Sequence, residues 1–218
     1  MQKVKLVSMS KPYGVQSGLY TAEDLIGYCA RVSNPSNQNN VLTTEKLLRY
    51  CIKNEHWSIF EMVHLVIEIN TTRDIARQII RHRSFSFQEF SQRYADVSEL
   101  GFTVREARLQ DTKNRQNSIE TDNEDLKHTW AMKQEQLLHE AKLVYKWALD
   151  NGIAKEQARS ILPEGNTNSR LYMAGTLRSW IHYCKLRMDN GTQKEHREIA
   201  KECWNILTDN FKFLREAQ

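Results

Sequence analysis

Glycine and proline are scarce, eight and three in 218 residues, and no glycines fall into G-x-G-x-x-G or G-x-x-x-x-G-K-(S/T) spacing. Any nucleotide this chain binds is therefore not held by a Rossmann turn or a P-loop. The four cysteines, Cys29, Cys51, Cys184 and Cys203, form no C-x-x-C pair. That pattern argues against a disulfide framework or a thiol zinc site and reads as free thiols in a reducing cytoplasm. Neither H-E-x-x-H nor G-x-S-x-G occurs, so no metal and no serine-hydrolase elbow are expected. Long hydrophobic runs are missing too. "HLVIEI" falls far short of the ~20 residues a spanning helix needs, and mean hydropathy is −0.66, so no membrane partner is expected. The N-terminal "MQKVKLVSMSKPYG" has no long apolar segment, which predicts no secretion signal and a cytoplasmic protein. The net charge of +4 allows an anionic ligand without requiring nucleic acid.

What is present is alternation and helical periodicity. "KVKLVSM" (3–9) and "MVHLVIEIN" (62–70) alternate as strands, and "SRLYMAG" (169–175) reads as a third. "TAEDLIGYCARVS" predicts a helix with Thr21 as N-cap, and "TTEKLLRYCIKN" another with a hydroxyl start. "TTRDIARQIIRHR" predicts an amphipathic helix, with Ile75, Ala76, Ile79 and Ile80 on one side and Arg73, Arg77 and Arg81 on another. A long helix ends at Asn151-Gly152, a short one stops at Pro163, and helices over "TLRSWIHYCKLRM" and "QKEHREIAKECWNILTDNFKFL" close the chain. Residues 103–125 are polar, without glycine or proline, and read as a long exposed insertion. Three or four short strands with five or six helices make an α+β domain.

The chemistry concentrates in residues 73–93. Arg73 and Arg77 suit a solvated helix face as well as a ligand wall. From Arg81 on, arginines alternate with serines and aromatics in "RHRSFSFQEFSQRY". Guanidinium forks match phosphate oxygens, and phenylalanines offer an apolar floor for a planar ring, so a phosphorylated heterocycle is a reasonable ligand. The alternative is a single nucleic-acid strand stacked on Phe85, Phe87 and Phe90. The modest net charge and the absence of a basic tail weigh against it.

"RHRSFSFQEFS", with Arg-His-Arg, seven residues, then Ser, resembles the signature of the flavin-dependent thymidylate synthases. "EHWSIFE", "ARQIIRHR", Glu89-x-Ser-x-Arg-Tyr, "ARSILP" and "AGTLRSWIHYCKLR" are similar to further family blocks in the same order, from about residue 20 to 205. The resemblance implies a single domain, 1–218, with a small antiparallel sheet packed by helices. It implies conversion of dUMP to dTMP, with 5,10-methylenetetrahydrofolate as carbon donor, FAD as hydride carrier and NADPH as reductant, in a homotetramer with shared sites. Position by position, it gives dUMP to Gln78, Arg81, Glu89, Phe90, Ser91, Gln92, Arg93, Arg159 and Arg187. Ser91 and Arg93 face the phosphate in this reading, and Arg187 acts on the ionised uracil ring. It gives FAD to His56, Ser58, Arg81, His82, Arg83, Glu89, Thr176, Arg178 and His182. Phe85 and Phe87 become packing residues between the two halves. The chain departs from the family pattern in three places. "MDNGTQKE" replaces an acidic-serine-histidine turn after Arg187, Thr176 stands where asparagine is common, and Met62 where histidine often follows Phe-Glu.

Overall fold

The computed structural model describes residues 3–14 and 18–215; the remaining positions of the expected 1–218 domain, Met1 and Gln2 of the N-terminal segment among them, lie outside the described residues. In chain order the elements are β1 (Val4–Met9), α1 (Ala22–Ala30), α2 (Thr44–Lys53), β2 (His64–Thr72), α3 (Arg73–Ile79), β3 (Ser86–Glu89), β4 (Arg108–Gln110), β5 (Ser118–Glu120), α4 (Glu124–Asp150), α5 (Lys155–Ala158), β6 (Asn168–Thr176), α6 (Leu177–Arg187) and α7 (Lys194–Asn210).

The period-two pattern of β2 decides the layers. Leu65, Ile67 and Ile69 stand opposite Gly175, Met173 and Leu171 of β6, and all six are buried. Between them, Glu68 meets Arg170 at 3.7 Å on the outer side. An antiparallel sheet with one covered face needs this alternation. The order is β1-β2-β6-β3, every pairing antiparallel. Trp180 and Ile181 of α6, with Ile199, Cys203 and Leu207 of α7, join the core that covers the inner face. All four cysteines are unpaired.

The local signals fold as the residues require. The Thr21 hydroxyl accepts from the Asp24 N–H, while the Asp24 carboxylate accepts from the Thr21 N–H, closing a capping box on α1. Past the end of α4, Gly152 takes φ +77, the left-handed turn that glycine adopts without strain.

Three expectations need correction. The helix predicted over "TTRDIARQIIRHR" is only Arg73–Ile79, so Arg81 lies beyond it and shares no face with Arg73 and Arg77. Arg73 is no solvated residue: its side chain is 7% exposed, because two carboxylates hold its guanidinium inside. Finally, 103–125 is largely exposed but not unstructured. β4 and β5 form a hairpin, and Arg105 and Arg108 turn inward, both onto Glu195 and Arg105 also onto Asp74 at 2.8 Å.

Candidate active site

After α3 the chain turns sharply, with the His82 N–H donating to the Ile79 carbonyl and the Phe85 N–H to the His82 carbonyl. Phe85 then enters the core, its ring 4.9 Å from Trp180 and 5.9 Å from Tyr183. It also lies directly over Gly175, where a Cβ would come within 2.4 Å of the ring. Phe87 also packs on the core. These two aromatics are therefore anchors, as the sequence suggests, and no stacking platform for bases. Burying Phe85 leaves Arg81 and Arg83 exposed and His82 half-buried between them. Gly175→Ala would push the ring and its loop outward. The expected cost is about 2 kcal/mol of unfolding free energy, read by urea denaturation and largely recovered when Phe85→Leu is added.

The His82 ring holds an arginine. Arg187 Nε donates to His82 Nε2 at 2.9 Å, so the His82 proton sits on Nδ1. Burial first, then the charges of Arg187 and Arg81, pull the His82 pKa down to about 4, which keeps the ring neutral and able to accept. Arg187 thereby commits Nε and keeps both Nη groups as an unpaired fork. Arg81, Arg83 and Arg187 form no ion pair among the described residues. Several other arginines are compensated: Arg93 by Glu156 at 3.2 Å, Arg178 by Glu61, Arg105 and Arg108 by Glu195. Arg187 and Arg81, whose charges both act on the neutral His82, and the exposed Arg83 next in the chain make an anion-seeking surface.

Gln78 joins this cluster through residues the sequence reading did not single out. His196, fully buried, lies with Nε2 3.1 Å from the Tyr183 hydroxyl and Nδ1 3.4 Å from Gln78 Oε1. Gln78 Nε2 donates to Gln193 Oε1 at 2.8 Å, and Gln193 Nε2 to Glu195 Oε2 at 3.0 Å. The signal for His196 was in the sequence. It lies on the stripe His196, Ile199, Ala200, Cys203, Trp204, Leu207, the buried face of α7.

The remaining dUMP candidates form two further groups. Glu89, at the end of β3, accepts from the Ser169 hydroxyl at 2.8 Å and faces Arg73 at 3.6 Å and Arg77 at 3.4 Å. Downstream, the Phe90 N–H donates to the Arg170 carbonyl. Ser91 and Arg93 are exposed, while Gln92 between them is buried with its Nε2 unpartnered. Ser91 and Arg93 line a cleft of about 370 Å³ with Lys155 and Glu156. Arg159, which does not line that cleft, donates its Nε to the Glu156 carbonyl at 3.4 Å.

The expected FAD residues gather around the start of α6. Thr176 caps that helix, its hydroxyl accepting from the Ser179 N–H at 3.1 Å. The Ser179 hydroxyl reaches the Ser84 carbonyl at 3.4 Å, tying the Arg81–Arg83 loop to the helix start. One turn on, the His182 ring lies 4.4 Å from Trp57, and burial with the Arg178 charge lowers its pKa. Trp57 sits between His56 and Ser58, both exposed, at the head of a short 3₁₀ turn, Ser58–Glu61. Glu61 binds Arg178. Exposed guanidinium groups, a hydroxyl and a half-buried ring pair are the donor types a diphosphate with a planar ring system requires, so these residues fit FAD.

Clefts of about 440, 480 and 490 Å³ lie elsewhere on the chain, and none is lined by an expected ligand residue. Cavity size therefore does not mark the site here. One chain carries the candidate groups on an open surface.

The fold and this surface define a class: an α+β protein built to hold phosphorylated rings with arginine forks and without a glycine-rich loop. Residues 18–211 match the family model described as thymidylate synthase complementing protein. A probable flavin-dependent thymidylate synthase of Paramecium bursaria Chlorella virus 1 is 52% identical over 213 residues, covering 98% of this chain and 97% of that protein. A flavin-dependent thymidylate synthase of Synechocystis sp. is 52% identical over 209 residues, covering 95% of each. Among solved structures, the UMP/dUMP methylase PolB of Streptomyces cacaoi bound with 5-Br UMP aligns with a TM-score of 0.81 at 25% identity, covering 98% of this chain and 92% of that one. The chain belongs to the family of flavin-dependent thymidylate synthases.

Proposed function

We propose that this chain converts dUMP to dTMP with FAD as its flavin, 5,10-methylenetetrahydrofolate as carbon donor and NADPH as reductant. We further infer that it works in the cytoplasm as a homotetramer whose sites are completed by neighbouring copies. The observation that carries the reading is the trio Arg81, Arg83 and Arg187, three guanidinium groups without an ion pair among the described residues, two of which act on a neutral His82. The open surface that bears them supports completion by a second copy.

When bound, the flavin supplies the hydride. The protein's own residues bind, orient and polarise. Arg187, pinned at Nε by His82, presents its Nη fork to the uracil ring and stabilises negative charge on it, a preorganised electrostatic role. Ser91, Arg93 and Arg159 hold the phosphate. Ligand phosphate displaces the Arg93–Glu156 pair, an exchange made cheap by the exposure of both side chains. Gln78 and Glu89 fix the rest of the nucleotide, with Phe90 and the Gln92 backbone forming the connecting wall. Arg81, His82, Arg83, Ser58, Thr176, Arg178, His56 and His182 would hold the flavin, and the packed Trp57–His182 pair would limit water on that side of the site. No nucleophile is needed: Cys51, Cys184 and Cys203 are buried, and burial pushes all three thiols up and away from thiolate.

The test is optical. Purified protein is expected to be yellow with a flavin absorption spectrum, to bleach with NADPH, and to regain its absorption when dUMP and methylenetetrahydrofolate are added, with dTMP formed. A colourless protein that takes up no FAD would overturn the reading.

A further inference from the structure

The buried chain Tyr183–His196–Gln78–Gln193–Glu195 has a direction, and that direction can be derived from one end. Glu195 is the fixed point. Burial opposes its ionisation, but the Arg108 hydrogen bond and the charges of Arg105 and Arg108 outweigh burial and hold its pKa at about 2. An ionised carboxylate only accepts. Gln193 must therefore turn its Nε2 toward Glu195, which leaves Gln193 Oε1 facing Gln78. Gln78 must then give Nε2 to Gln193, which turns Gln78 Oε1 toward His196. His196 in turn must carry its proton on Nδ1, leaving Nε2 to accept the Tyr183 hydroxyl. No amide in the chain can flip without breaking a bond at both of its ends. The far end touches the site, because the Tyr183 ring packs edge-on against His82, which holds Arg187.

We propose that His196 is a positioning residue that locks the amide of Gln78, so that its remaining N–H and its remaining oxygen lone pair face the bound pyrimidine nucleotide in one fixed orientation. The proposal rests on the reading of Gln78 as a nucleotide contact. It gives the 103–125 segment a function, since Arg105 and Arg108 of that segment anchor the polarity of the chain. It also gives a role to the "TQKEH" run in the segment that departs from the family pattern after Arg187. The run supplies three links of the chain together, Gln193, Glu195 and His196.

The experiment compares His196→Leu with His196→Gln in the flavin-loaded enzyme. Leucine can neither donate nor accept. Glutamine can donate to Gln78 and accept from Tyr183. His196→Leu is expected to raise the KM for dUMP about tenfold, the loss of one hydrogen bond's worth of orientation, with kcat at saturating dUMP and flavin content little changed. His196→Gln is expected to bring KM back to within about threefold of wild type. An unchanged KM in folded, flavin-loaded His196→Leu overturns the proposal, as does an equal rise in both variants, which would mean that only packing matters. If His196→Leu does not fold, Gln193→Met cuts the chain at a half-buried position and should raise KM about fivefold; no rise overturns the proposal. A wild-type enzyme that does not turn over dUMP fails at an earlier step and overturns the functional reading itself.

Discussion

Arg187→Ala is expected to lower thymidylate formation about a thousandfold while flavin stays bound. The magnitude follows from removing a preorganised charged donor from the place where negative charge develops, worth roughly two to three powers of ten for a single donor. The retention of flavin follows from geometry: Arg81 and Arg83, the triplet's own arginines, sit on a loop that Phe85 and the Ser179–Ser84 contact still hold when the Arg187–His82 bond is lost. Lysine should not rescue the variant. A single ammonium cannot donate to His82 Nε2 and also present a planar fork; Arg187→Lys is expected to remain about a hundredfold down. A second readout is independent of turnover. Arg187 contributes one of the two charges that depress His82, so in Arg187→Ala the His82 pKa should rise from about 4, with burial still holding it below its ordinary value. An NMR titration of the His82 ring checks the shift. Wild-type turnover in Arg187→Ala would refute the role given to Arg187, and an unmoved His82 would refute the pairing.

The strands β1, β2 and β6 and the helices α1, α2, α4, α6 and α7 were legible because each carries a full period of hydrophobic pattern or a cap residue that acts locally. Three features were not. β3 is four residues long, and only Phe87 and Glu89 point inward from it, which is too little alternation to separate a strand from a loop. The end of α3 was overrun because the sequence stays periodic to Arg83, while Phe85 pulls the chain out of the helix for a contact with Gly175, about 90 residues away in sequence. Tertiary packing, invisible to a local window, decided that boundary. The hairpin at 103–125 was hidden for a related reason: its anchors, Arg105 and Arg108, look solvent-facing until Glu195 is brought to them.

The candidate site divides along the same line. Arg81, Arg83 and Arg187 could be named from the motif, since motif residues are exposed and chemically distinctive. Their supporting groups could not. Tyr183 and His196 sit on core-facing stripes, where a polar side chain looks like packing. The sequence also does not reveal which arginines are compensated. Arg73, Arg77 and Arg81 read alike, yet two are neutralised by Glu89 and Glu164 and the third is not.

That distinction makes Glu89 the position where stability and function meet. Its carboxylate accepts from Ser169 and stands between Arg73, whose side chain is 7% exposed, and Arg77. Glu89→Ala would leave the buried Arg73 with Glu164 alone, itself 57% exposed, at 3.2 Å. Orphaning one partner of a buried pair costs ~3–5 kcal/mol, and the surviving Glu164 contact brings the expected loss to about 2 kcal/mol. The functional loss should be larger. With Glu89 gone, Arg73 and Arg77 add uncompensated positive charge beside the Arg81 surface, and the contact expected to serve both nucleotide and flavin disappears. Turnover is expected to fall at least about a hundredfold, with dUMP affinity reduced and flavin content lowered. Glu89→Gln separates the two effects. Its amide oxygen still accepts from Ser169, so the part of the stability carried by that bond should return, about 1 kcal/mol, while the lost charge leaves Arg73 with Glu164 alone and keeps turnover down by about tenfold or more. Urea denaturation and dTMP formation, measured on both variants, decide the matter. If Glu89→Ala keeps wild-type stability, the carboxylate is not what holds Arg73 inside. If Glu89→Gln keeps wild-type turnover, the negative charge at this position has no part in the chemistry.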